Sequence, residues 1–353
     1  MRQRAITKIM AAACAAACST FLSGNAEADT RIWHVKAVHP QGRLLDVKAL
    51  DSDGKIYDVK ALEIDGNVHM LDVKALVGEK KLPVKILASD DAFAPVKAIG
   101  ENGKTYDIKA LTPDGKRLDV KGVSRAGSIL HIKAIGPEGF YGIKAISPAG
   151  QLHDVKGVRL GDKEVEATVN GVDVAAHVKA LPQADDDSGG DYLWHIKAVH
   201  PDGQLLDVKA LDAAGAVHDV KAFVENGNLH LMDVKALVGA KKLPVKILVS
   251  PDALAPVKAI GPDGTIYDVK ALTTDGKRLD VKGVARAGGL YDIKAIGPDG
   301  RHYGIKAVSP RGRLHDVKGI KLSAEPTEAT ISGVAVAAHV KALPPVMQAE
   351  ADR

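Results

Sequence analysis

Lysine is the residue in this chain whose spacing can do chemistry. It stands at the centre of Val/Ile-Lys-Ala/Gly tripeptides that recur about every 12 residues, from Lys36 to Lys179 and again from Lys197 to Lys341. Ammonium groups repeated in this way can hold phosphate, sulfate or the acidic groups of a glycan or lipid. Many of them follow an aspartate by two residues, as in Asp46-Val47-Lys48 and Asp107-Ile108-Lys109. Such aspartates are expected to pair with lysines across strands, so the leading reading of the series is a structural salt-bridge ladder. The lysines expected to be free for a ligand are those without the aspartate: Lys36, Lys97, Lys133, Lys144 and Lys179, then Lys197, Lys258, Lys306 and Lys341. Lys85 and Lys246, in the variant Val-Lys-Ile, share that property.

Histidines also recur in equivalent places: His34/His195, His39/His200, His69/His230, His153/His315 and His177/His339. His34 and His177 replace the aspartate in the first and last units of one half, so closure would bring them together at a seam plugged by Trp33. No ligand spacing supports a metal there, and no metal or cofactor is expected. Gly-x-Ser-x-Gly, phosphate-loop and His-Glu-x-x-His patterns are missing from the sequence. The expected protein is therefore not an enzyme. A hydrolase with its site in a cleft between the halves is a second alternative.

The elements that must position these residues are short strands. In Thr105-Tyr106-Asp107-Ile108-Lys109-Ala110-Leu111 polar and apolar residues alternate, and Pro113-Asp114-Gly115 follows as a turn. A helix would not survive a Pro/Asp-Gly stop in every unit. Pro113 suits the first corner of a type I turn and Gly115 the left-handed residue after it, a three-residue loop with a bulge. If Thr112 pairs with Lys116, Lys109 lies opposite Asp119 and Asp107 opposite Lys121. One face then carries Asp–Lys pairs. The other carries the residue three before lysine, the valine or isoleucine, and the small alanine or glycine, which makes it the core. Small residues at that position suit strands converging on a crowded centre, and closure removes exposed edges. Pro83 and Pro95 each stand two before a lysine and predict an edge or corner. Val165-Glu166-Ala167 reads as a degenerate unit with glutamate in the lysine position. The fold class expected is all-β, with two tandem homologous antiparallel β-repeat domains, each a shallow closed barrel or flower of about 13 short strand–turn units.

The repeated Tyr-Asp-Val-Lys-Ala-Leu with Asp-Gly turns resembles the bacterial β-flower repeat proteins. That resemblance implies a shallow barrel with hairpin petals, similar to the Tubby C-terminal domain, and contact with lipid or a membrane surface. The tandem duplication departs from that family's pattern.

Trp33-His34-Val35-Lys36-Ala37-Val38-His39-Pro40 returns as Trp194 to Pro201 at an offset of 161, which becomes 162 after a residue is gained near Arg301-His302. The expected organisation is a signal peptide over 1–28, domain 1 over 29–182, an acidic glycine-rich linker over 183–191, domain 2 over 192–345 and a tail over 346–353. Arg2, Arg4 and Lys8 before an alanine-rich apolar run, then Ala26-Glu27-Ala28, fit export with cleavage after Ala28. Both cysteines, Cys14 and Cys18, fall in that leader, so the mature chain has no thiol chemistry. No later stretch is apolar enough for a spanning helix. Short loops and 4% aromatic residues argue against an outer-membrane barrel. Without the leader the chain carries 45 basic and 43 acidic residues, too even a balance for nucleic acid. The expected role is a non-catalytic structural or binding module of the cell envelope, periplasmic or secreted. Binding of an anionic lipid, glycan or phosphate through the lysine face is the alternative.

Overall fold

The computed structural model describes residues 30–184, 193–225 and 227–346. The leader, most of the linker and the tail lie outside the described residues. Domain 1 contains β1 (Thr30–Val38), β2 (Leu44–Leu50), β3 (Ile56–Ile64), β4 (Asn67–Val77), β5 (Lys80–Leu87), β6 (Ala94–Ile99), β7 (Thr105–Leu111), β8 (Arg117–Ala126), β9 (Ile129–Gly136), β10 (Gly139–Ile146), β11 (Leu152–Val158), β12 (Ala167–Val169) and β13 (Val172–Pro182). Domain 2 repeats the set as β14 (Leu193–Val199), β15 (Leu205–Leu211), β16 (Val217–Glu225), β17 (Asn228–Val238), β18 (Lys241–Leu248), β19 (Leu254–Ile260), β20 (Ile266–Leu272), β21 (Arg278–Arg286), β22 (Leu290–Ile296), β23 (His302–Val308), β24 (Leu314–Ile320), β25 (Ala329–Ile331) and β26 (Val334–Leu343). The protein is all-β, two antiparallel sheets of 13 strands.

The turn chemistry works as the sequence dictates. Thr112 and Lys116 close the β7–β8 loop, with Thr112 N donating to Lys116 O at 3.0 Å and Gly115 N to Thr112 O at 2.9 Å. Gly115 has φ +80°, the left-handed conformation that favours glycine. The extra residue of domain 2 lies in the β22–β23 loop, where Gly297 N donates to Arg301 O. The corresponding β9–β10 connection is tighter, with Gly136 opposite Gly139.

Beyond the turn the register holds for half of each hairpin and then departs from expectation. Lys109 lies opposite Asp119 and Ala110 opposite Leu118. Asp107 does not reach Lys121, because β7 and β8 part after that point. Asp107 pairs with Lys97 on β6, and Lys121 pairs with Pro95 on β6. The strands β6, β7 and β8 thus pair in a ring of three. The same rings are built by β1, β2 and β3, by β9, β10 and β11, and by β4, β5 and β13.

The other edge of each strand runs along a strand of a different ring, through β1–β10, β2–β7, β3–β4, β5–β6, β8–β9 and β11–β13. Four rings allow six pairwise links, and each link occurs once. This is the connectivity of a truncated tetrahedron, with twelve strands at its corners. Domain 2 repeats it through β14–β23, β15–β20, β16–β17, β18–β19, β21–β22 and β24–β26. The expected closed sheet is therefore present. β12 and β25 are three-residue strands appended to β13 and β26. Glu166 does not enter a ring. Its carboxylate accepts from the backbone of Leu160 and Gly161, at 2.6 and 3.0 Å.

The core face is the one expected. Ala37, Ala49, Ala61, Ala75 and Ala98 are fully buried with the adjoining valines and leucines. Ile86 of the Val-Lys-Ile unit is also fully buried. A Cβ at Gly157 would collide with its Cδ1, and one at Gly122 would lie 3.3 Å from it. Ile247 crowds Gly283 and Gly319 in the same way. The glycines make room for the one large residue at a convergence point otherwise held by small ones. Trp33 is buried in the core as expected, edge-on to His153 at 4.5 Å, with Nε1 donating to Glu63 at 3.0 Å. Pro83 and Pro95 stand where a strand changes partner, so the corner reading holds rather than the edge.

A third apolar cluster joins the domains. Met70, Ile129, Val158 and Leu181 meet Leu231, Leu290, Ile320 and Leu343, their counterparts in the second copy. Polar contacts repeat the exchange. His69 Nε2 lies 2.9 Å from Asp316, and His230 Nε2 lies 2.7 Å from Asp154. Equivalent surfaces thus meet reciprocally, the arrangement of a two-fold dimer inside one chain.

Candidate functional site

The alternation of the strand puts aspartate and lysine on the outer face, and each ring of three gathers them into a trigonal hub. In the β1–β2–β3 hub Lys36 donates to Asp46 and Lys48 to Asp58, while Lys60 Nζ lies 3.1 Å from His34 Nδ1. The second oxygens of the same aspartates reach the next lysine round, Lys48 at 3.7 Å and Lys60 at 3.4 Å. A pit of about 230 Å³ lies over these residues. The Lys36 and Lys48 hydrogen bonds hold Asp46 and Asp58 below the usual carboxylate range, against a partial cost of burial.

Where the next strand of the ring offers an acceptor, the lysine's shortest contact is to it and not to the aspartate of the lysine's own strand. This changes which lysines are unpaired. Lys36, Lys97, Lys144 and Lys179 hold Asp46, Asp107, Asp154 and Asp72. Lys197, Lys258, Lys306 and Lys341 hold Asp207, Asp268, Asp316 and Asp233. Of the lysines expected to be free, Lys85 and Lys246 lie against imidazoles, and Lys133 has neither a carboxylate nor an imidazole partner among the described residues. It lies opposite Gly142, and Lys121 lies opposite Pro95. In domain 2, Lys282 lies opposite Pro256 and Lys294 opposite Gly304. The signal was in the sequence, one strand further on: a neutral residue where the neighbouring strand would supply aspartate.

The hubs at the domain junction differ from the rest. Lys341, 3% exposed, donates to Asp233 and, at 2.9 Å, to Ser128 of domain 1. Lys246 is buried against His339 Nδ1, as Lys85 is against His177 Nδ1. Burial first, then the neighbouring Lys341, lowers Lys246 to about 7. Burial, then Lys179 and Lys74, does the same to Lys85. Burial and the adjacent lysines also push His177 and His339 far below the ordinary imidazole range. Burial opposes ionisation of Asp72 and Asp233, yet Lys179 and Lys341 hold both carboxyls well below the usual range. A cavity of about 770 Å³ between the domains is lined here by Lys246, His339, Lys341, Asp233, Lys235 and Ser128, among others.

His34 and His177 do not meet at a seam. Each serves a different hub, beside Lys60 and Lys85. Among the described residues no group of three or more His, Cys, Asp or Glu side chains is placed to hold a metal. No helix among them is long and apolar enough to cross a membrane.

The lysine–aspartate repeat matches one family model twice, over residues 29–181 and 190–343. The chain belongs to DUF7486, a family of unknown function. Each DUF7486 match coincides with one closed shell, so the duplication in the sequence is a duplication of a whole fold. No curated protein and no solved structure matches the chain.

Proposed function

We propose that this DUF7486 protein is an exported, non-catalytic structural or binding module of the cell envelope, with the β-flower proteins as its structural kin. The observation that carries the reading is the fate of the lysines. Most are tied to an acceptor of the next strand, so the repeat is spent on architecture. Three of the four carboxylates lining the inter-domain cavity, Asp233, Glu166 and Glu328, are likewise engaged, by Lys341 and by backbone amides. This leaves Asp162 without a second free carboxylate beside it and favours this reading over a hydrolase in that cleft. Export rests on the leader sequence. Cell fractionation with mass spectrometry of the mature chain tests it: an envelope or secreted chain beginning at Asp29 is expected, and a cytoplasmic chain retaining the leader overturns it.

A second reading, binding of an anionic group, is favoured by one observation. Lys121, Lys133, Lys282 and Lys294 present ammonium groups on the outer face with no carboxylate partner among the described residues.

A further inference from the structure

We propose that the β8–β9 link of domain 1 and the β21–β22 link of domain 2 are each a binding site for one phosphate group, held between two lysines. The inference rests on the anion-binding reading and deepens it.

Lysines face each other across all six links of a domain, an arrangement that costs stability when the charges are uncompensated. In three links of domain 1 and three of domain 2 at least one lysine donates to an aspartate ten residues on. The β3–β4 and β16–β17 links are compensated by aspartates of their own strands, Asp58 and Asp72, and Asp219 and Asp233, at 3.3–3.4 Å. The β11–β13 and β24–β26 links are compensated by Asp72 and Asp233. Lys121 opposite Lys133, and Lys282 opposite Lys294, have neither carboxylate nor imidazole partner among the described residues. The nearest carboxylates are committed elsewhere: Asp119 to Lys109, Asp280 to Lys270, and Asp292 to Lys318 and Arg286.

The cause is local and occurs in both copies. Proline stands in the aspartate position opposite the first lysine of each pair, and glycine opposite the second. A Cβ built on Gly142 would lie 3.9 Å from Lys133 Nζ, and one on Gly304 would have nothing within 4 Å. Lys133 therefore lies over its glycine as other lysines lie over aspartate, and an acidic oxygen from outside can take the carboxylate's place. Two adjacent ammonium groups match the double charge of a phosphate monoester above its second ionisation near pH 6. A single-charge carboxylate matches them less well.

Titration calorimetry of the full mature chain with inorganic phosphate at low ionic strength is expected to give two sites per chain. The double variant Gly142→Asp/Gly304→Asp, which supplies the missing carboxylates, should weaken phosphate binding by about tenfold or more without lowering the melting temperature. Lys133→Gln/Lys294→Gln should weaken it similarly, and Lys48→Gln should leave it unchanged. Sedimentation with vesicles of phosphatidic acid in phosphatidylcholine, lost in the aspartate variant, would assign the phosphate to a lipid headgroup. Phosphate binding without sedimentation would assign it to a soluble phosphate. Full phosphate binding by a folded aspartate variant overturns these sites and leaves the anion reading standing. No phosphate binding by the wild-type chain overturns both.

Discussion

The hub formed by β1, β2 and β3 and the hub formed by β17, β18 and β26 are built from the same repeat and have opposite electrostatic characters. In the first, Lys36 and Lys48 keep side-chain exposures of 26% and 23%, and their aspartates 46% and 45%. In the second, Lys341 is 3% exposed and Lys246 is buried against an imidazole. Water screens the first set of charges, so the pairs chiefly fix geometry. The second set is desolvated, so each charge depends on its partner and Lys246 titrates near neutrality. One motif therefore gives a solvated clasp or a buried charge network according to whether the other domain covers it.

Removing one carboxylate from each hub separates the two cases most widely. Asp233→Ala strips the carboxylate from a buried ammonium and is expected to cost about 3–5 kcal/mol. Asp58→Ala, in the exposed hub, is expected to cost about 0–1 kcal/mol. Urea unfolding of both variants checks the pair, and equal costs would break the distinction. A smaller effect comes from the core beneath the junction hub of domain 1, where Ile86 replaces alanine. Gly157→Ala forces a methyl against Ile86 and should cost about 1–3 kcal/mol by the same measurement.

A further effect lies in the pH profile. His177, His339, Lys85 and Lys246 all have folded pKa values below their unfolded ones. The unfolded chain therefore binds more protons, and stability rises with pH. The histidine part is gained from acid up to about pH 6.5, and the lysine part from about pH 7 to about 10.5. Each group contributes at most about 1.4 kcal/mol per pH unit within its window. Melting temperature against pH should rise through neutrality in the wild type. In Lys246→Met/Lys85→Met the rise above pH 7 should shrink to the part contributed by Lys156, which burial also lowers.

What could be read from the sequence was whatever a single hairpin determines. The Asp-Gly turns, the Lys109–Asp119 register, the apolar face and the duplication all follow from local spacing, and all are present. The grouping in threes was not legible, because it depends on where paired strands part. Alternation with period 2 says which face a residue takes and nothing about which strand it meets beyond the turn. That one gap misassigned the unpaired lysines: Lys36 and Lys97 lack an aspartate in their own strands and hold one from the next. A trace of the three-dimensional plan was nevertheless there. Each half contains one Val-Lys-Ile and two Val-Lys-Gly units, the large residue and the two absences that accommodate it.

The three-partner pairing of the shell strands bears on how the wall opens. In an ordinary sheet an edge strand can fray after losing one ladder, and its bare amides can then template another chain. Here a shell strand must release three ladders before it can leave, and its departure exposes three neighbours that no longer close their rings. Opening is therefore concerted, amide exchange in the shell follows global unfolding, and local variation is confined to the hairpin tips and the appended β12 and β25.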